Sequence, residues 1–266
     1  MTAVEDFSLA ELMIAAAAEA WRHDGELLGS GIGTLPRLAV GLAKLTIEDG
    51  LLLSDGEAFA TEEPLPLGPR QGQAPFAGWM PYSRVFEILW SGRRHAMVTP
   101  VQIDRWAQTN ISCLGDFDKP KVQLLGVRGY PGNSISHKNS FLVTGHGKRT
   151  FVEGEVDVVS SVGFSDAHWP AGMKRPEIAI GIVVTDLCVM DFGGPDHAAR
   201  VLSLHPGVSF ADVQAATGFP LLRAETMSVT PAPTAEQLAI IARLDPTNLR
   251  ASALKGNPPG VRAAAA

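Results

Sequence analysis

A chain of 266 residues with 45% apolar and 19% charged residues holds enough hydrophobic material for a large core, which excludes wholesale disorder. Its net charge of −6 comes without a basic stripe interleaved with aromatics, so nothing advertises a nucleic-acid partner. Cys113 and Cys188 stand far apart, outside CxxC or Cys/His ligand spacing, which excludes a disulfide framework and a zinc site.

No apolar run reaches the length of a membrane span, and the first residues lack the basic start of a signal peptide. The expectation is a soluble, cytoplasmic protein with no membrane partner. One α/β domain over residues 1–254 is expected, followed by a flexible tail at 255–266 that has proline, glycine and alanine without periodicity.

Ser8-Leu9-Ala10-Glu11 is a capping-box pattern that opens an alanine-rich helix over residues 12–21, with Gly25 beyond its end. Gly29-Ser30-Gly31-Ile32-Gly33 then follows a short apolar run and precedes Pro36, which reads as strand, glycine loop and helix. Glycine there permits close backbone approach, and the helix's first N–H groups can receive developing negative charge. Gly31, Ile32 and Gly33 are therefore a candidate binding turn, although a βα turn also needs glycine simply to turn. Leu51-Leu52-Leu53 reads as a short buried strand delivering Ser54-Asp55-Gly56-Glu57 to its C-terminal end, where open α/β sheets bind ligands. Taken alone, carboxylates in such a turn usually just face water.

Residues 61–81, dense in proline and glycine, read as an irregular loop, with Phe76, Trp79 and Tyr82 burying apolar surface beneath it or lining a pocket. Strands are expected at 95–98 and 122–127, the latter running into Arg128-Gly129-Tyr130-Pro131. Arg128 can grip a carboxylate or phosphate with two hydrogen bonds, or form an ordinary surface ion pair. Further strands are expected at 141–144 and 156–159. His137 and His146 are the histidines suited to acid–base work but read as solvent-facing loop residues. The β-branched run 178–185 predicts a buried strand, continued at 187–190, and helices open at Ser209 and Thr234.

In this order the segments resemble the β subunit of family I coenzyme A transferases, in the glutaconate CoA-transferase branch, over nearly the whole chain. The likeness rests on Gly31-Ile32-Gly33 with Pro36, the strand into Ser54-Asp55-Gly56, and Gln102-Ile103-Asp104 followed by Asn110 and Gly115-Asp116. It continues through residues 148–152 before Val156-Asp157, then Val184-Thr185-Asp186 and Thr217-Gly218-Phe219. It implies a three-layer α/β/α fold around an open, mostly parallel sheet. Transferases of this family place a nucleophilic glutamate just before the glycine of the acidic turn; here Ser54 stands in that place, and a serine without a base is a poor nucleophile. The second glycine turn, Gly126-Val127-Arg128-Gly129, departs from the family as well.

Both departures make the chain similar to the β subunit of the steroid ring-cleaving CoA-ester hydrolases of bacterial cholesterol catabolism. That resemblance implies opening of a carboxylated cyclohexenone-CoA by water addition and C–C cleavage, without CoA transfer. It also implies a homologous α subunit supplying the catalytic glutamate, an α2β2 heterotetramer, and coenzyme A present only as part of the substrate, with no permanently bound cofactor and no metal. It assigns Gly31, Ile32 and Gly33 to the thioester or ring oxygen, Ser54, Asp55 and Glu57 to the catalytic turn, and Arg128 to a substrate carboxylate. Two alternatives stay open: a true transferase for a dicarboxylic or oxo acid that uses Glu57 or Asp55, and a non-catalytic ligand-binding protein of the same fold.

Overall fold

The computed structural model describes residues 6–56, 58–69, 75–127, 129–167, 169, 171–173 and 177–262. The capping box at Ser8 is formed: its side chain accepts the Glu11 N–H, while the Glu11 carboxylate accepts the Ser8 N–H at 2.8 Å, starting α1 (Leu9–Ala18). The chain continues through β1 (Leu28–Gly31), α2 (Thr34–Thr46), β2 (Leu53–Ser54), β3 (Phe59–Thr61), β4 (Phe76–Trp79), α3 (Tyr82–Trp90) and β5 (Arg94–Val98). Four two-residue strands follow, β6 (Gln102–Ile103), β7 (Thr109–Asn110), β8 (Cys113–Leu114) and β9 (Val122–Gln123). Then come α4 (Tyr130–Ser136), β10 (Lys138–Val143), β11 (Ile180–Thr185), β12 (Cys188–Asp191), β13 (Arg200–Leu204), α5 (Phe210–Ala216), β14 (Leu222–Val229) and α6 (Ala235–Leu244). Ser209 and Thr234 cap α5 and α6 with the same reciprocal hydrogen bonds as Ser8.

Seven strands form one sheet in the order β1-β5-β10-β11-β12-β13-β14. The first four are parallel, β12 is antiparallel to both neighbours, and β13 and β14 are parallel again. Side-chain alternation along the strands divides the core. Met97, Leu142 and Val184 pack with α1, α2 and α6, whereas Ala96, Val98, Phe141, Val143 and Val183 pack with Phe151, Phe219 and Val213 of α5.

On the α1 face a buried polar chain crosses the sheet. Asp24 Oδ2 meets His95 Nδ1 at 2.5 Å, His95 Nε2 meets Ser140 Oγ at 2.8 Å, and Lys138 Nζ donates to Asp24 Oδ1 at 3.0 Å. Ser140 stands at a β-bulge between β10 and β11, and its hydroxyl accepts the Ile182 N–H at 3.2 Å. Gly181 makes this possible, since a Cβ there would overlap the Ser140 hydroxyl.

The structure corrects several local expectations. Residues 61–81 are not one irregular loop: β4 pairs with β3 and β3 with β2 in a small antiparallel sheet, where Phe59 stacks on Phe76 at 4.3 Å. That cross-strand stacking is a long-range term that proline and glycine content conceals. Of residues 122–127 only β9 is strand, and Leu125 is 92% exposed. Residues 156–159 form no strand, because the N–H groups of Val156 and Asp157 turn to the side chains of Asp104 and Gln102 instead. Residues 258–262, read as part of a frayed tail, carry main-chain hydrogen bonds to the body, Leu9 N–H to Pro258 O and Gly260 N–H to Phe7 O at 2.8 Å. The α1 amino end has free N–H donors, and the tail satisfies one of them.

Candidate active site

The glycine run does less turning than its composition suggests. Gly29 to Gly31 belong to β1, hydrogen-bonded in register with β5, and only Gly33, with φ of 116°, leaves the conformations open to other residues. Gly31 is required for another reason. A Cβ there would fall closer than 3.0 Å to the carbonyl of Pro36 and the nitrogen of Arg37, so its absence lets the first turn of α2 press against the strand.

This contact forms one wall of a cavity of about 610 Å³ beside β1, at the end of the large sheet. Gly31, Ile32 and Gly33 line it together with Ser54 and Gly56, so the two turns singled out in the sequence do meet. Ser54 Oγ accepts the Gly56 N–H at 3.3 Å. The amino end of α2 carries no side-chain cap and presents Gly33 and Thr34 to the same space, adding partial positive charge.

Asp55 is placed otherwise. Only 6% exposed, it does not line the cavity; its Oδ1 accepts the N–H groups of Ala58 and Phe59 at 3.0 and 3.1 Å. The carboxylate holds the β2–β3 turn in shape, as aspartates commonly do. Glu57 and Arg128 lie outside the described residues.

The residues that sequence reasoning missed here are Arg94 and Arg37, both lining the cavity. Arg94 Nε donates to Ser30 Oγ at 2.9 Å, and burial pulls its guanidinium down to about 10, which leaves it charged at neutral pH. Nothing local marks it as special. Only the pairing of Leu28 with Arg94 across β1 and β5 brings it to the cavity.

Neither tempting histidine faces solvent. His146 lies between the hydroxyls of Thr185 and Thr217, at 3.0 and 2.9 Å, with its ring stacked on Phe151 and its main-chain N–H donating to Asp186. His137 is buried with Nδ1 on its neighbour's carbonyl at 3.0 Å. Burial drives His137, His146 and the equally enclosed His205 down to about 4, so each is neutral when folded. Unfolded imidazoles titrate near 6.5, so as pH falls the unfolded chain takes up these protons first. Stability is therefore expected to be full above about pH 6.5 and to fall toward pH 4 by up to about 1.4 kcal/mol per pH unit for each histidine. Urea midpoints measured across that window test this; a flat profile contradicts it.

Among the described residues no group of three or more His, Cys, Asp or Glu is placed to hold a metal, and no helix is long and apolar enough to cross a membrane. No protein-family model matches the chain. It is 41% identical over 242 residues to the cholesterol ring-cleaving hydrolase IpdB subunit of Mycobacterium tuberculosis, covering 91% of this chain and 96% of that protein. The B subunit of the 3-oxoadipate CoA-transferase of Pseudomonas knackmussii is 30% identical over 261 residues, covering 94% and 98%. The fold matches the crystal structure of Rhodococcus jostii IpdAB with a TM-score of 0.84 at 40% identity, over 93% of this chain and 98% of that one. With relatives of this identity along nearly its whole length, on a mostly parallel α/β sheet, the chain belongs to the family of cholesterol ring-cleaving hydrolase IpdB subunits, built on the fold of the CoA-transferase B subunits.

Proposed function

We propose that this chain is the β subunit of a heteromeric CoA-ester hydrolase that opens the last steroid ring, a carboxylated cyclohexenone-CoA, with the catalytic glutamate on a homologous α subunit in an α2β2 assembly. One observation carries the reading beyond the likeness. Among the described residues the cavity is lined by N–H donors, the hydroxyl residues Ser30, Thr34 and Ser54, and two guanidiniums, but by no carboxylate, and Asp55 Oδ1 accepts from its own turn. The described lining can stabilise negative charge but offers no group of its own to take a proton from water, which suits half of a site whose base comes from elsewhere.

In the reaction so assembled, the partner's carboxylate takes a proton from water as its oxygen adds to the ring carbonyl. The bond to the neighbouring ring carbon then breaks, leaving a new carboxyl group and a carbanion that the thioester delocalises as an enolate. Returning the proton to that carbon completes the addition of one water. Gly33 and Thr34 at the head of α2 are assigned to the developing oxyanion, where preorganised N–H donors contribute most. Ser54 orients water or substrate, Ile32 contributes apolar wall, and Arg128 keeps the substrate-carboxylate role drawn from the resemblance. Coenzyme A enters and leaves as part of the substrate.

Removal of the Ser54 hydroxyl in Ser54→Ala is expected to lower kcat/KM by roughly tenfold to a hundredfold, the equivalent of about 1.4 to 2.7 kcal/mol, with little change in melting temperature. The reading itself is tested by co-expressing the chain with an IpdA-type partner, supplying a carboxylated cyclohexenone-CoA with and without acetate, and weighing the products. Gain of one water with CoA retained supports it. Acetyl-CoA formed in the presence of acetate would establish a transferase instead.

A further inference from the structure

A charged guanidinium taken partly out of water is ordinarily met by a carboxylate. Arg94 is not. Its Nε is used on Ser30 Oγ, and no carboxylate of the described residues comes within the 4.0 Å of an ion pair. Both Nη nitrogens are left without an acceptor among those residues, and they belong to a side chain that lines the cavity. Arg37, on the first turns of α2, lines the same cavity and likewise has no carboxylate within that distance among the described residues. The uncapped amino end of α2 adds positive potential from a third direction. Three sources of positive charge thus converge on a space whose described lining contains no acid.

We propose that Arg94, backed by Arg37, is the receptor for an anionic oxygen group of the substrate, gripped through the two free Nη positions in the cavity between β1, β5 and α2. The planar fork of a guanidinium matches the paired oxygens of a carboxylate or a phosphate, which a point-charge ammonium does not. Both groups occur on the substrate class proposed above, a carboxylated acyl-CoA, and the inference rests on that reading for its ligand. The Ser30 hydroxyl holds the Nε edge of the fork, so Ser30 is a positioning residue for the same grip.

The test uses binding rather than turnover, so that it is separable from the ring-opening assignment. The assembled αβ complex is titrated calorimetrically with two probes, free coenzyme A and glutarate, for the native chain and for Arg94→Met and Arg94→Lys. Arg94→Met is expected to weaken binding at least thirtyfold for one probe, and Arg94→Lys to recover only part of the loss because it restores charge without the fork. Loss confined to glutarate assigns the carboxylate of the acyl part; loss confined to coenzyme A assigns a phosphate. Because Arg94 has no ion-pair partner in the described structure, the melting temperature of Arg94→Met is expected to stay level or rise. Unchanged affinity for both probes overturns the assignment, as does a loss of affinity that comes with a lowered melting temperature. Should binding fall as expected while no ring opening is found, the anion receptor stands and the proposed reaction does not.

Discussion

Gly31→Ala is expected to cost roughly 3 kcal/mol of stability and to lower the kcat/KM of the assembled enzyme by at least about a hundredfold. The residue has ordinary strand geometry, so backbone strain is not the reason. The single added methyl meets backbone, the Pro36 carbonyl and the Arg37 nitrogen, and backbone in the first turn of a helix cannot rotate aside as a side chain would. Relief requires α2 to slide away from β1, which moves Gly33, Thr34 and Arg37 together and opens the cavity wall. Gly132→Ala is the control. It lies inside α4 with nothing within 4 Å of the place its Cβ would take, and alanine is there expected to be neutral or to stabilise by up to about 1 kcal/mol. Urea denaturation of both variants, with kinetics on the folded fraction, checks the pair. Equal behaviour would show that packing of α2 on β1 is not what shapes the site.

How much of this was legible in the sequence depended on the range of the interactions. The three reciprocal caps at Ser8, Ser209 and Thr234 were readable because each is complete within four residues. The strand cores were readable from runs such as 180–185, where burial on both faces leaves a continuous apolar stretch. The small sheet β2-β3-β4 was not, since its pairing joins Phe59 to Trp79 across a segment whose composition signals only turns. Arg94 was invisible for the same reason: its meaning lies in strand order. The placement of Asp55 was not legible because an acidic residue in a turn gives no sign of whether its oxygens face outward or close the turn.

The motifs that carried the family resemblance have a structural logic of their own. Thr185 and Thr217 hold the His146 ring, Asp186 accepts the main-chain N–H of His146, and Gly218 lies so close to the 151–153 backbone that a Cβ would overlap it. Gln102, Asn110 and Asp157 form a second such knot, with Gln102 Oε1 accepting from Asn110 Nδ2 at 2.7 Å and from the Asp157 N–H at 3.0 Å. These residues satisfy buried backbone in irregular segments that no sheet or helix covers. They hold the fold together away from the cavity, which is lined by Ser54, from another of the motifs, and by Arg94, which belongs to none of them.

The polar chain across the α1 face was equally hidden, for Asp24, His95 and Ser140 are brought together only by the sheet. Asp24→Ala is expected to destabilise the chain by about 3 kcal/mol, because it strips a buried imidazole and the Lys138 ammonium of their shared acceptor at once. Asp24→Asn keeps the shape but turns an amide donor toward one of two donors, and its cost is expected to fall between native and alanine. Burial pushes the Asp24 carboxyl up, yet the hydrogen bonds and charges of His95 and Lys138 together hold it below its ordinary value. Its contribution is therefore present above about pH 4 and lost as pH falls through the lower folded value. The stability gap between native and Asp24→Ala should accordingly narrow in acid, while kcat of the folded fraction stays unchanged, since none of these three side chains lines the cavity. A gap that persists undiminished to about pH 3 would mean that the shape of the aspartate, and not its charge, joins His95 to Lys138.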